Sequence, residues 1–231
     1  MESPLIGNSE PVCPYCSHRL DRMPSRKSRC PACGNHFYVR TRPADRKRVL
    51  VTEAGAAEIE EVWAIETGTH EALMAARGEF EEEKRRMAAH LGFDPPDGDV
   101  RFALLRKAMR EHAARGDWGL YRNTRFAMAE QLRKEGRDKT ALATYLEVCY
   151  LDLNGPNNNT RDGYVPRFDP KTGFLAPGVL QRARRLVKKL HLESPAVREV
   201  FDHYAVPAYE GLRLPFPPAE AWVTISEALF R

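Results

Sequence analysis

Cys13-Pro14-Tyr15-Cys16 and, after a basic loop, Cys30-Pro31-Ala32-Cys33-Gly34 carry the densest chemistry in this chain. Thirteen residues separate the two Cys-x-x-Cys pairs. Four of the five cysteines are spent there, and Cys149 stands alone. Paired Cys-x-x-Cys motifs in a reducing compartment read as metal or redox chemistry rather than as a disulfide framework. A thioredoxin-like dithiol needs one pair in a βαβ setting, and no such pattern surrounds either pair. Four thiolates suit a tetrahedral ion, and such sites are closed structural ones for zinc. The expectation is one Zn²⁺ per chain on Cys13, Cys16, Cys30 and Cys33, with iron left open by the same ligand set. His18 and His36 flank the pairs and are expected to lie outside the ligand set.

A module of about 40 residues buries too little apolar surface to fold alone. Zinc binding, worth about 10–16 kcal/mol in small zinc peptides, supplies the missing folding energy. Cys30-Pro31-Ala32-Cys33-Gly34 resembles a rubredoxin-type zinc knuckle, and the two knuckles over residues 11–41 resemble a zinc ribbon. In that family each knuckle is a tight turn whose backbone amides face the thiolates. Gly34 suits the left-handed backbone of such a turn. Ser17 stands at the matching place in the first knuckle and departs from the pattern without removing a ligand.

The surroundings of the pairs are basic. From His18 to Arg48 there are Arg19, Arg22, Arg26, Lys27, Arg29, Arg40, Arg42, Arg46, Lys47 and Arg48, against Asp21 and Asp45. His36-Phe37-Tyr38-Val39-Arg40 reads as a strand. Cations interleaved with aromatics suit phosphate contact and base stacking. The candidate nucleic-acid-binding set is therefore Arg19, Arg22, Arg26, Lys27, Arg29, Tyr38, Arg40 and Arg42, with Tyr15 or Phe37 as further stacking candidates. A solvated surface on a small module is the plainer alternative, and many zinc ribbons bind proteins instead.

Beyond the module the pattern turns helical. Arg48 to Thr52 is a short β-like run. Thr52 caps a helix carrying Ile59, Val62 and Trp63. Thr69 caps another, with Leu73, Ala76, Phe80, Met87 and Leu91 on one stripe. Ten glutamates lie between Glu53 and Glu83, opposed by Arg77. They form a solvated face, a docking face for the basic loop, or a face that repels nucleic acid from the wrong side, the first being the default. Residues 92–99, with Pro95 and Pro96, read as a linker rather than a calcium loop.

The body follows. Phe102, Leu105, Ala108, Met109 and His112 mark a helix ending near Gly116. A second runs from Trp118 to Gly136. A third, capped by Asp138, carries Ala141, Leu142, Tyr145, Leu146 and Cys149. Over about residues 118–152 the spacing of Ala129, Leu132, Gly136, Ala141-Leu142, Tyr145 and Cys149 resembles the second half of a tetratricopeptide repeat, with an ordinary helical hairpin as the equal alternative. That resemblance implies a groove for a peptide or helix and a buried, structural Cys149. Residues 154–176 form a long loop in which Tyr164, Phe168 and Phe174 are candidate anchors. Asn158-Asn159-Thr160 matches a glycosylation sequon of no meaning inside a cell. Pro177 to Leu190 is a helix whose outer face carries a second basic patch, Arg182, Arg185, Lys188 and Lys189, beside Arg184. Ser194-Pro195 opens another helix, and a last one carries Trp222, Ile225 and Leu229.

The fold expected is mainly α: a Cys₄ zinc ribbon over 1–43, an acidic helical pair and linker over 44–99, and a helical domain over 100–231. No apolar window is long enough to cross a bilayer, and the N-terminus has no signal-peptide pattern. A cytoplasmic protein is expected, with no membrane partner and no small-molecule substrate. No phosphate loop, nucleophile elbow or His-Glu-x-x-His motif is present, and a closed Cys₄ zinc offers no open position to activate water. The chain reads as a non-enzymatic zinc-ribbon protein, nucleic-acid binding with a protein-interaction body, or alternatively as a pure protein–protein adaptor.

Overall fold

A computed structural model of the chain describes residues 5–158 and 167–231. It is mainly α-helical, with a small three-stranded antiparallel sheet early in the chain. It divides into two compact units, Met1–Glu81 and Glu82–Arg231.

The first unit holds strands β1 (Ser28–Arg29), β2 (His36–Thr41) and β3 (Arg48–Val51), then helix α1 (Glu53–Glu66) and the start of α2 (His70–Leu91). The sheet order is β1-β2-β3. Tyr38 pairs with Val51 and Thr41 with Arg48. Alternation of side chains along a strand gives the sheet two working faces. Phe37 and Leu50 are buried with Cys13 and Cys30 on one. Val49 and Val51 are buried with Ala56 and Ile59 of α1 on the other, where Tyr38 and Trp63 also pack. The boundary expected at residue 43 therefore falls inside one sheet. β3 was expected to belong to the acidic segment, but its backbone pairs with the ribbon and its side chains serve both clusters.

Thr52 caps α1 through its side chain, which accepts from the Gly55 amide at 3.1 Å. The indole of Trp63 donates to the Thr41 carbonyl at 2.8 Å, fastening α1 to β2. The expected stripe on α2 is not a buried one: Leu73, Phe80 and Met87 are half-buried, and Ala76 and Leu91 are exposed.

The second unit contains α3 (Asp97–Arg115), α4 (Trp118–Lys134), α5 (Asp138–Leu153), α6 (Pro177–Lys189), α7 (Ser194–Leu212) and α8 (Pro218–Phe230). α3 takes in the last three residues of the expected linker, Asp97 to Asp99. Gly116, in the left-handed conformation, ends it. The organising element is α5, which packs against α4, α6, α7 and α8. Every residue from Ala141 to Asp152 is buried. The expected inner face was therefore only part of a helix enclosed all round, which is how a helix at the centre of a domain behaves. Asp138 is the first helical residue rather than the cap, and its carboxylate meets Lys189. Ser194 is likewise inside α7, and Glu193 is its cap position.

The ends of the 154–176 segment are fixed. Asn154 is fully buried, donating to the Tyr150 carbonyl and accepting from the Phe216 amide, both at 2.9 Å. Gly155 has a φ of +58°, and a Cβ there would come within 2.0 Å of the Asp169 carbonyl oxygen. Phe168 is buried against Trp118, with ring centroids 5.2 Å apart. Phe174, expected to help pin the segment, is exposed. Tyr164 and the Asn159-Thr160 part of the sequon lie outside the described residues.

Candidate metal centre and basic ribbon surface

The two knuckles are near copies of one turn. In the first, the Ser17 amide donates to the Cys13 carbonyl at 3.0 Å and the Cys13 amide to His18 at 2.8 Å. In the second, Gly34 donates to Cys30 at 3.0 Å and Cys30 to Asn35 at 2.9 Å. The same offsets recur, so the same backbone closes each pair. Gly34 has a φ of +74° and Ser17 a φ of +59°. The departure noted in the first knuckle thus leaves the turn type unchanged and places a Cβ in left-handed backbone, which costs about 1–2 kcal/mol.

This duplication brings four sulfurs together. Cys13 Sγ lies 3.8 Å from Cys33 Sγ, and Cys16 Sγ lies 3.8 Å from Cys30 Sγ. The four ligand atoms all fall within 4.8 Å of one another. A tetrahedral ion with metal–sulfur bonds of about 2.3 Å needs sulfurs about 3.8 Å apart. The donor set and its spacing fit a four-coordinate metal such as zinc. Cys13 and Cys30 are buried and Cys16 and Cys33 exposed, so the site sits at the edge of the module. His18 and His36 are exposed and take no part, as the spacing implied.

Backbone dipoles favour thiolate at one corner. The Cys33 and Ala32 amides point at the Cys30 sulfur and bring its thiol down to about 6. Cys16 takes the His18 amide but, against burial and three neighbouring thiols, is pushed up to about 12. Four thiols this close cannot all ionise without a cation between them.

The basic surface separates into two classes. Arg42 is buried, and its guanidinium forks onto Asp45 at 3.0 and 2.7 Å and donates to the Ile6 carbonyl at 3.1 Å. Its expected phosphate role is corrected: the group is a structural tie with no face toward solvent. Phe37 is also corrected as a stacking candidate, because it is buried under the cysteines. Arg40 is bound to Glu60 at 2.8 Å. Arg29 donates to the Gly34 carbonyl at 2.8 Å, bracing the second knuckle. Lys27 donates to the Tyr38 hydroxyl, which donates to Glu53, each at 2.9 Å. The Tyr38 ring packs toward α1, with Lys27 Nζ 4.5 Å and the Arg40 guanidinium 5.4 Å from its centroid. Arg46 also leans on α1, over the Trp63 ring at 4.2 Å. Part of the acidic face on α1 is thus occupied by the ribbon's own cations.

Arg19, Arg22 and Arg26 form the other class. They are exposed, and their guanidinium groups bond to no described residue. Arg19, Arg22 and Arg29, with Asp21 and Phe37, line a shallow groove of about 240 Å³.

The second patch thins in the same way. Arg182 pairs with Glu130 at 2.6 Å and lies over the Phe126 ring. Lys189 pairs with Asp138, and Arg184 with the Ala228 carbonyl. Arg185 and Lys188 remain exposed. Sequence reasoning missed two ion pairs across α4 and α5, Arg122–Asp152 and Arg125–Glu147, with side chains 15% or less exposed. Their signal was available: two arginines three apart on α4 and two carboxylates five apart on α5, each among core positions.

Cys149 is fully buried, and burial pushes its thiol up to about 12, which makes it an inert packing group. No helix among the described residues is long and apolar enough to cross a membrane. Comparison of the chain with protein-family models, with curated proteins and with solved structures finds no match.

Proposed function

We propose that this is a non-enzymatic, cytoplasmic zinc-ribbon protein whose basic N-terminal module binds nucleic acid and whose helical body binds a protein. Zinc is held by Cys13, Cys16, Cys30 and Cys33. It closes the loop that carries the cations and supplies no chemistry to a substrate. The observation that carries this reading is the presence of three free arginines, Arg19, Arg22 and Arg26, between the two halves of the metal site. A module this small does not gain folding energy from three unpaired, mutually repelling cations, whereas a polyanion neutralises them and releases counterions. The body's role rests on the resemblance of the α4–α5 hairpin to a tetratricopeptide repeat.

One observation favours the adaptor reading, in which the ribbon is only a folding staple. Arg29, Arg40 and Arg42 are held by intramolecular bonds. A salt series decides between the two. Binding of DNA and RNA should weaken steeply as salt rises, with a log–log slope near the number of phosphates contacted. Arg19→Ala, Arg22→Ala and Arg26→Ala together should lower that slope by about 2–3. Arg42→Ala should instead unfold the ribbon. No binding at low salt sinks the nucleic-acid reading and leaves the adaptor.

A further inference from the structure

Of the three aromatic side chains that the ribbon offers for stacking, the structure keeps one open. Phe37 is core, and Tyr38 is packed on α1 beneath two cations. Tyr15 sits in the first knuckle between two metal ligands and is 43% exposed. It is fixed at both ends. Its amide points at Cys13 Sγ at 3.5 Å, and its hydroxyl accepts from the Glu53 amide at 3.3 Å. A ring held in this way spends little rotamer entropy when something stacks on it. Lys27 reaches the same α1 residue through Tyr38, whose hydroxyl accepts from Lys27 and donates to Glu53, so a cation stands one residue from the ring's anchor.

A ring beside a cation, on the same module as three free arginines, is the arrangement that holds single strands: stacking for bases, charge for the backbone. A duplex keeps its bases stacked on each other and offers an isolated ring only edges. The carboxylates of α1 already hold side chains of the module, Glu60 taking Arg40 and Glu53 accepting from Tyr38. The β1–β2 pairing spans two residues, too short to form an arm that enters a groove.

We propose that the module takes unpaired bases, stacking one on Tyr15 while the free arginines Arg19, Arg22 and Arg26 hold adjoining phosphates, so that its ligand is single-stranded nucleic acid. This rests on the nucleic-acid reading above. Base stacking and phosphate contact are tolerant of sequence and do not read the sugar, so DNA and RNA single strands should bind alike.

The test uses the zinc-loaded full chain and labelled strands of about 12 nucleotides, followed by fluorescence anisotropy. Oligo-dT and oligo-U should bind at least about tenfold tighter than a duplex of equal length at the same salt. A strand of the same backbone with abasic sites should lose about 5- to 100-fold with its salt slope unchanged. Tyr15→Leu should lose as much on oligo-dT and nothing further on the abasic strand, whereas Tyr15→Phe, which keeps the ring and gives up only its hydroxyl anchor on Glu53, should lose less than Tyr15→Leu. Equal or tighter duplex binding overturns the inference, as does an abasic strand that binds as well as oligo-dT. Both of these arms use the unaltered protein, so they decide even if Tyr15→Leu sheds its zinc. If every strand binds with a steep salt slope and none depends on its bases, the nucleic-acid reading survives and the single-strand inference fails. If nothing binds at low salt, the nucleic-acid reading itself fails.

Discussion

Removing Arg125 while leaving Glu147 should be among the most damaging single changes in the helical unit. Glu147 lies in the enclosed stretch of α5, with its side chain 8% exposed, and Arg125 on α4 is 15% exposed. The guanidinium forks onto both carboxylate oxygens, with Nε 2.9 Å from Oε1. An exposed pair of this kind contributes about 0–1 kcal/mol. For a buried one, deletion of a single partner costs about 3–5 kcal/mol, because the surviving charge has lost both water and counterion. Arg125→Met isolates the electrostatic part. The Arg125 guanidinium already lies 4.0 Å from the Met109 sulfur and 3.6 Å from the Met128 sulfur, so a thioether chain meets compatible neighbours. The slight exposure of Arg125 places the expected loss near the lower end, about 3 kcal/mol.

The double variant Arg125→Met, Glu147→Leu removes both charges and keeps the volume. It should fall within about 1 kcal/mol of the parent or exceed it. The assay is equilibrium urea unfolding read by far-ultraviolet circular dichroism and by tryptophan fluorescence in a Trp63→Phe background, which leaves Trp118 and Trp222, both in the second unit. A single variant that loses less than about 1 kcal/mol would show a solvated pair and an α5 that is not enclosed. A double variant as unstable as the single would show that packing, not charge, sets the loss.

Elemental analysis of the purified chain should give about one zinc per chain, and Cys30→Ser should shed it, melting the cysteine side of the sheet while the helical unit keeps its circular dichroism. Thiol titration should find four cysteines once a strong chelator is added. The fifth, Cys149, should react only after urea unfolds the helices, because burial holds its thiol near 12 and thiolate forms only well above neutral pH. A Cys149 that reacts in the native protein would refute its place in the core. Gly155→Ala should destabilise the second unit by more than the ~1 kcal/mol of an ordinary left-handed penalty, since its Cβ would strike the Asp169 carbonyl. An unchanged urea midpoint would show that the end of the segment is not pinned there.

The sequence carried those features that a short-range rule enforces. Cysteine spacing gave the four ligands, and 3.6-residue periodicity gave most of the helices with boundaries close to those found. What it did not carry depends on partners far along the chain. The burial of α5 on every side is invisible to a stripe count, because Thr144, Glu147 and Asp152 break the apolar pattern and are satisfied only by α4 and the chain's own backbone. The α2 stripe is the converse case: the period was right, but Leu73, Phe80 and Met87 are only half-buried, and Ala76 and Leu91 are exposed. Asp45, three residues after Arg42, was a visible hint that this arginine was already matched. Composition alone scored it with Arg19, because a charge count does not distinguish a cation facing water from one facing the Ile6 carbonyl.

That distinction shapes how the ribbon's surface is to be understood. Of the eight residues first grouped as one nucleic-acid face, Arg40 and Arg42 hold the sheet to its surroundings, Arg29 braces a metal turn, and Lys27 and Tyr38 link the loop to α1. Arg19, Arg22 and Arg26 all lie between Cys16 and Cys30, in the segment whose two ends the cysteine cluster brings together. Their placement is therefore set by that cluster, and their freedom by the bonds that the other cations make. Under the proposed function, a ligand that needs three cations in a fixed loop beside one anchored ring would find them only while four thiolates share an ion. An ion held by all four would have no open position for chemistry, so its effect on that function would pass through the shape of residues 17–29.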